Sequence, residues 1–132
     1  MVFVELTISY SQLIVMNYGG EQPYVDWGNE DFERGYAKAE GVIIFEAISD
    51  YTCEIKASVG KHNEKEGVVR TISVPFTVEN DGVFVRSILS DTLHIAIPKG
   101  NYMLVLQAMP LEEPTDDELY KVQYELFFEN QE

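Results

Sequence analysis

The residues of this sequence with the most chemical capacity are carboxylates, gathered in two runs. The first is Asp26, Glu30, Asp31 and Glu33, with Trp27 set among them. The second is Glu112, Glu113, Asp116, Asp117 and Glu118. Paired carboxylates can act as general acid and base in glycoside hydrolysis, or can wrap a calcium ion. Asp116-Asp117-Glu118 lacks the Asp-x-Asp-x-Asp-Gly pattern that turns ligands around one ion, so a solvated acidic loop is the better reading. With 23 acidic residues in the chain, finding some carboxylate pair is uninformative. No phosphate-binding loop, dinucleotide fingerprint, Gly-x-Ser-x-Gly elbow or His-Glu-x-x-His pair is present. One cysteine and two histidines would leave a zinc site dependent on carboxylates. His62 falls in a polar loop and His94 alternates with the apolar positions of its strand, so both are expected at the solvent. Neither an enzyme nor a cofactor is expected.

Carboxylates beside an aromatic are also what a protein interface uses. In Pro23-Tyr24-Val25-Asp26-Trp27-Gly28, Trp27 can anchor a following helix on a sheet while Asp26 caps the turn. It can equally stand exposed as an interface anchor among acids. The charge balance favours a basic partner: 23 acidic residues face nine basic ones, for a net charge of −14 and a pI near 4.3. Direct binding to nucleic acid or to an anionic membrane would work against that field, whereas a protein with a basic face would be drawn in by it. The lone Cys53 can form no internal disulfide and lies on the apolar side of a strand, which suits a buried structural thiol. The N-terminus has neither the basic start nor the long apolar core of a secretion signal, so a cytoplasmic location is expected.

The elements that must position these groups are strands. Val2, Val4, Leu6, Ile8 and Tyr10 alternate with Phe3, Glu5, Thr7 and Ser9, the period of a half-buried strand. Tyr51, Cys53, Ile55, Ala57 and Val59 do the same, and Val42 to Phe45 is apolar on both faces, as a central strand would be. Further strands are predicted over 13–18, 72–74, 83–89, 93–97, 102–108 and 120–128. Between several of them stands turn chemistry such as Asn80-Asp81-Gly82 and Lys99-Gly100-Asn101. About nine strands at short spacing predict one domain over 1–132, all-β and mainly antiparallel, folded as a two-sheet sandwich or jelly roll. One helix is predicted over 29–40. Phe32, Tyr36 and Ala39 fall on one helical face, Asn29 caps its start, Gly41 ends it, and Glu30 pairs with Arg34. Gly35 inside that helix implies close packing against a strand. Two loops stand apart: polar 60–67, and 109–118 with five carboxylates and two prolines in ten residues.

Taken in order, several blocks resemble the competence protein J family. They are Leu6-Thr7-Ile8-Ser9-Tyr10, Asp26-Trp27, Glu33-Arg34-Gly35-Tyr36-Ala37-Lys38-Ala39-Glu40-Gly41 and Ile44-Phe45-Glu46-Ala47. In the second half Val74-Pro75-Phe76-Thr77-Val78, Gly82, Ser87-Ile88-Leu89-Ser90 and Pro98-Lys99-Gly100-Asn101-Tyr102 agree. The resemblance runs from about residue 6 to residue 106 and implies an inhibitor of the DNA-entry nuclease of bacterial transformation. It does not extend past Met109, where eight acids against one base carry −7, half of the chain's −14. The expected function is thus an immunity-type inhibitor that blocks a nuclease through an acidic surface, with Asp26–Glu33 and Glu112–Glu118 as the candidate contacts. The alternative is a jelly-roll module for a carbohydrate or small metabolite, which would need a concave pocket lined by Trp27 and tyrosines.

Overall fold

Alternation along the chain becomes two stacked sheets. A computed structural model describes residues 2–17, 28–39, 41–63, 66–90, 92–113 and 119–131. Its strands are β1 (Val2–Thr7), β2 (Gln12–Asn17), β3 (Tyr36–Ala39), β4 (Val42–Glu46), β5 (Thr52–Val59), β6 (Arg70–Val78), β7 (Val83–Arg86), β8 (Leu93–Ile95), β9 (Gly100–Pro110) and β10 (Val122–Asn130), with α1 (Asn29–Arg34) between β2 and β3. One sheet has the order β1-β5-β10-β9-β6 and the other β3-β4-β2-β7-β8. Pairing is antiparallel except between β5 and β10, which run parallel from Gln123 opposite Glu54 to Phe128 opposite Val59.

The core lies between the sheets. In β6, Ile72, Val74, Phe76 and Val78 are buried while Thr71, Ser73, Pro75 and Thr77 face solvent, and Cys53, Ile55 and Ala57 of β5 join them inside. Tyr124, Leu126 and Phe128 of β10 stack beside Leu104 and Leu106 of β9. As expected of a run apolar on both faces, β4 is interior: Ile43 and Phe45 enter this core, and Val42 and Ile44 join Ile14 and Met16 in a second cluster on the other face of that sheet. Pro75 lies in the edge strand β6, where a missing ladder donor is tolerated and edge-to-edge association is discouraged.

The predicted helix over 29–40 is corrected by the structure. Only Asn29–Arg34 is helical, and Tyr36–Ala39 is the edge strand β3, which brings the strands among the described residues to ten. Gly35 makes the difference. It sits in the left-handed region at φ +84°, its N–H closes the helix on the Asp31 carbonyl at 2.9 Å, and its own carbonyl accepts the Glu46 N–H at 2.8 Å. The chain is thereby handed from helix to sheet. The close packing inferred for Gly35 is observed: a Cβ there would stand 3.0 Å from Ile72 Cδ1 of β6. The start is corrected as well. Gly28, not Asn29, is the N-cap, and its N–H donates to Asp31 Oδ2 at 2.9 Å. Arg34 pairs with Asp31 at 2.6 Å rather than with Glu30, and its guanidinium lies 4.4 Å over the Tyr36 ring.

Several predicted strands also overran, among them the one over 93–97, which ends at Ile95 as β8. β1 ends at Thr7 and β7 at Arg86, so Tyr10 and Leu89 are not core residues but stand 67% and 75% exposed in turns. Among the described residues no helix is long and apolar enough to cross a membrane.

Candidate functional site

The described members of the two acidic regions, Glu30, Asp31 and Glu33 on α1 and Glu112 and Glu113 after β9, flank one end of the sandwich. Gly35, at the C-terminal end of α1, packs beside Arg70 at the start of β6; Arg70 pairs across the sheet with Ala108, two residues short of the end of β9. Of the predicted contact residues, Glu30 and Glu33 are exposed on α1. Asp31 is half-buried and already engaged, one oxygen by the Gly28 N–H and the other by Arg34. Glu112 follows β9, where its Oε1 accepts the Lys121 N–H at 2.8 Å, and Glu113 beside it is exposed. Asp26, Trp27, Asp116, Asp117 and Glu118 lie outside the described residues.

The same end carries acids that the linear reading passed over because they are scattered along the chain. Glu5 and Glu54 stand directly opposite each other across β1 and β5. Like charges in that position repel. Lys121 relieves the repulsion, with Nζ 3.6 Å from Glu5 Oε2 and 3.8 Å from Glu54 Oε2, and Gln123 Nε2 donates to Glu54 Oε1 at 3.2 Å. Glu46 holds Arg70 through its carbonyl at 3.1 Å and its carboxylate at 3.8 Å. Asp50, in the turn before β5, is exposed. Glu5, Glu46 and Glu54 stand on strands, which hold their carboxylates in a fixed array. The only signal for them in the sequence was strand parity, which places Glu5 and Glu54 on the outer face without saying that they meet.

Other chemistry is poorly provided. Cys53 is buried and its thiol is pushed up to about 12 by burial, so it is not a nucleophile at neutral pH. His62, expected at the solvent, is instead half-buried: its backbone N–H and its ring Nδ1 both lie 2.7 Å from Glu129 Oε2, and its ring packs 6.3 Å from that of Phe127. The His62 backbone N–H, then its ring, hold the Glu129 carboxyl below the ordinary carboxylate range. His94 is exposed as expected, edge-on to Phe84. Among the described residues no group of three or more His, Cys, Asp or Glu could hold a metal ion.

Two open clefts are present among the described residues. The larger, about 700 Å³, lies between Lys38 of β3 and Pro75 and Thr77 of β6, with Phe76 and Tyr102 in its wall. Tyr102 is 3% exposed and its hydroxyl donates to the Pro98 carbonyl at 2.6 Å. Phe76 is also buried, so neither ring offers a sugar a stacking face. The smaller cleft, about 370 Å³, runs between Glu5 and Thr7 of β1 and Leu89, Ser90 and Leu93 around β8.

Residues 5–129 match the family described as competence protein J. The chain is 35% identical over 108 residues to the DNA-entry nuclease inhibitor of Bacillus subtilis (strain 168), covering 82% of each chain. It superposes on the crystal structure of ComJ from Bacillus subtilis, inhibitor of the DNA-degrading activity of NucA, with a TM-score of 0.82 and 30% identity, over 97% of this chain and 96% of that one.

Proposed function

The chain belongs to the competence protein J family, and on that premise we propose that it is a non-catalytic, immunity-type protein that binds and inhibits a DNA-entry-type nuclease. The observation that carries this reading is its 35% identity to a DNA-entry nuclease inhibitor across 82% of both chains. A nuclease groove is built to attract phosphates, so a rigid surface of carboxylates competes for it through the same electrostatics. Same-face strand residues repeat at about 6.7 Å, which lets the sheets hold such an array without further ordering. Supporting the mechanism are the net charge of −14 and the gathering of Glu5, Glu46, Asp50, Glu54, Glu112 and Glu113 toward one end. The proposed contacts are Asp26, Trp27, Glu30, Asp31 and Glu33 in the first acidic run and Glu112, Glu113, Asp116, Asp117 and Glu118 in the second. Of these, the described Glu30, Asp31 and Glu33 form one flank and Glu112 and Glu113 the other. Within the first flank Glu30 and Glu33 carry the greater share, since Asp31 is engaged internally. The partner is the nuclease itself, met through its basic face, with neither DNA nor membrane bound directly. The reading places the pair in the cytoplasm, where a lone thiol such as Cys53 stays reduced.

The test is to titrate the cognate nuclease with this protein at low ionic strength and follow DNA degradation. Stoichiometric loss of activity is expected, with an association rate that falls as salt is raised. Full nuclease activity in excess protein would end the inhibitor reading, and inhibition indifferent to salt would end its electrostatic part. Glu112→Lys with Glu113→Lys, set against Glu30→Lys with Glu33→Lys, then identifies which flank steers association.

A further inference from the structure

Charge attracts a partner, but tight binding requires buried apolar contact as well. The two most exposed large hydrophobic residues among those described are Leu89, at 75%, and Tyr10, at 67%, and a hydrogen bond ties their two loops together. Ser9, next to Tyr10, accepts the Leu89 N–H on its hydroxyl at 2.9 Å. Tyr51, 44% exposed, adjoins them because its carbonyl accepts the Ile8 N–H at 3.0 Å. Three exposed apolar residues on three separate loops are therefore tied by hydrogen bonds to the segment that forms the β1–β2 turn.

That turn is an unfavourable one for its residues. Tyr10 and Ser11 both have φ +54°, the pattern of a two-residue type I′ hairpin, which asks for Asn and Gly. A bulky ring at such a position is rare and persists only where its surroundings over-determine it. They do so here. The Ser11 N–H donates to Asp50 Oδ1 at 2.7 Å and the Ala47 N–H to the Ser11 carbonyl at 2.8 Å. Ser87, fully buried, accepts the Ser9 N–H at 2.8 Å and donates to the Gln12 carbonyl at 2.6 Å. A strained turn, fixed from both sheets, holds an aromatic ring out in solvent.

We propose that Tyr10, flanked by Leu89 and Tyr51, is the apolar anchor of the nuclease-binding surface. This rests on the inhibitor reading and adds to it the surface that makes contact. The partner is chosen by charge. The Asp50 carboxylate stands beside the turn, and Glu5 lines the cleft that opens next to Leu89 and Ser90. The patch is thus apolar at its centre and acidic at its rim, which fits the basic face of a nuclease, whose Arg or Lys side chains can lie over the Tyr10 ring. Tyr is suited to the task because it presents a large rigid surface with only two side-chain torsions to fix.

The test pairs Tyr10→Asn with Leu89→Ser. Asn is at home in the left-handed region, so the fold is expected to hold, and thermal melting of the double variant checks that it does. Against the cognate nuclease, affinity is expected to weaken at least 30-fold, mostly through faster dissociation, with the salt dependence of association unchanged. A folded variant whose affinity stays within threefold of the parent overturns the anchor while leaving the inhibitor reading intact. A parent chain that does not bind the nuclease at all overturns both. If the substitutions instead abolish self-association of this chain, seen by sedimentation, the patch is a contact between copies and the proposal falls.

Discussion

Asp50 reaches back across 39 residues of chain to hold Ser11, its Oδ1 accepting the Ser11 backbone N–H at 2.7 Å. This bond keeps a hairpin whose own residues disfavour it, since a left-handed backbone costs a non-glycine residue about 1–2 kcal/mol. The carboxylate supplies from a distance what Asn-Gly would supply locally.

Removing that support is expected to cost stability. Asp50→Ala should destabilise the chain by about 1.5 kcal/mol, the low end of the range for a hydrogen bond to a charged group, because this bond is exposed. Ser11→Gly should do the opposite, gaining about 0.5–1 kcal/mol because glycine adopts positive φ without strain. Urea unfolding reads both as shifts of the midpoint at constant slope.

Gly35 is expected to accept no side chain. Gly35→Ala meets two obstacles at once, the left-handed φ of +84° and the Ile72 Cδ1 atom 3.0 Å from the new Cβ. A loss of about 2 kcal/mol is predicted, roughly 6–8 °C in melting temperature for a domain of this size. Shortening Ile72 to Val in the same chain should recover part of it, because the obstructing atom is then gone. No recovery would mean that the backbone term alone decides.

Stability should fall on the acid side in a way that Glu129 controls. Its carboxyl is held below the ordinary range in the folded chain by the His62 N–H and ring, so the folded state binds that proton less readily than the unfolded state. The contribution is therefore complete above the ordinary carboxylate value and drains away as pH falls through the lowered one. Glu129→Gln is predicted to lower stability at neutral pH and to flatten the dependence below pH 5. Unfolding midpoints measured from pH 7 to pH 3 check this, and parallel curves for parent and variant would contradict it.

What the chain reveals in one dimension is whatever its elements decide alone. β5 and β6 are half-buried strands, and burying one face forces the alternation of Cys53, Ile55, Ala57 and of Ile72, Val74, Phe76 that announces them. The run Val42–Phe45 announces an interior strand for the same reason, since both its faces are covered. The ordered blocks from Leu6 to Tyr102 were likewise enough to point to the family, and through it to a nuclease partner.

Where two local outcomes were close, tertiary contacts chose between them. Phe32, Tyr36 and Ala39 have helical spacing, yet β4 offered Tyr36–Ala39 a ladder, and Gly35 could turn into it. Tyr10 continues the alternation of β1 perfectly in sequence. Its exposure depends on Asp50 and Ser87, residues 39 and 78 positions from the turn they hold. The parallel pairing of β5 with β10 and the meeting of Glu5, Glu54 and Lys121 are equally long-range. The acidity of this protein was therefore legible from its composition, but the arrangement of its acids and the apolar anchor among them was not. Composition counts charges, and only the closing of distant strands on one another sets which of them share a surface.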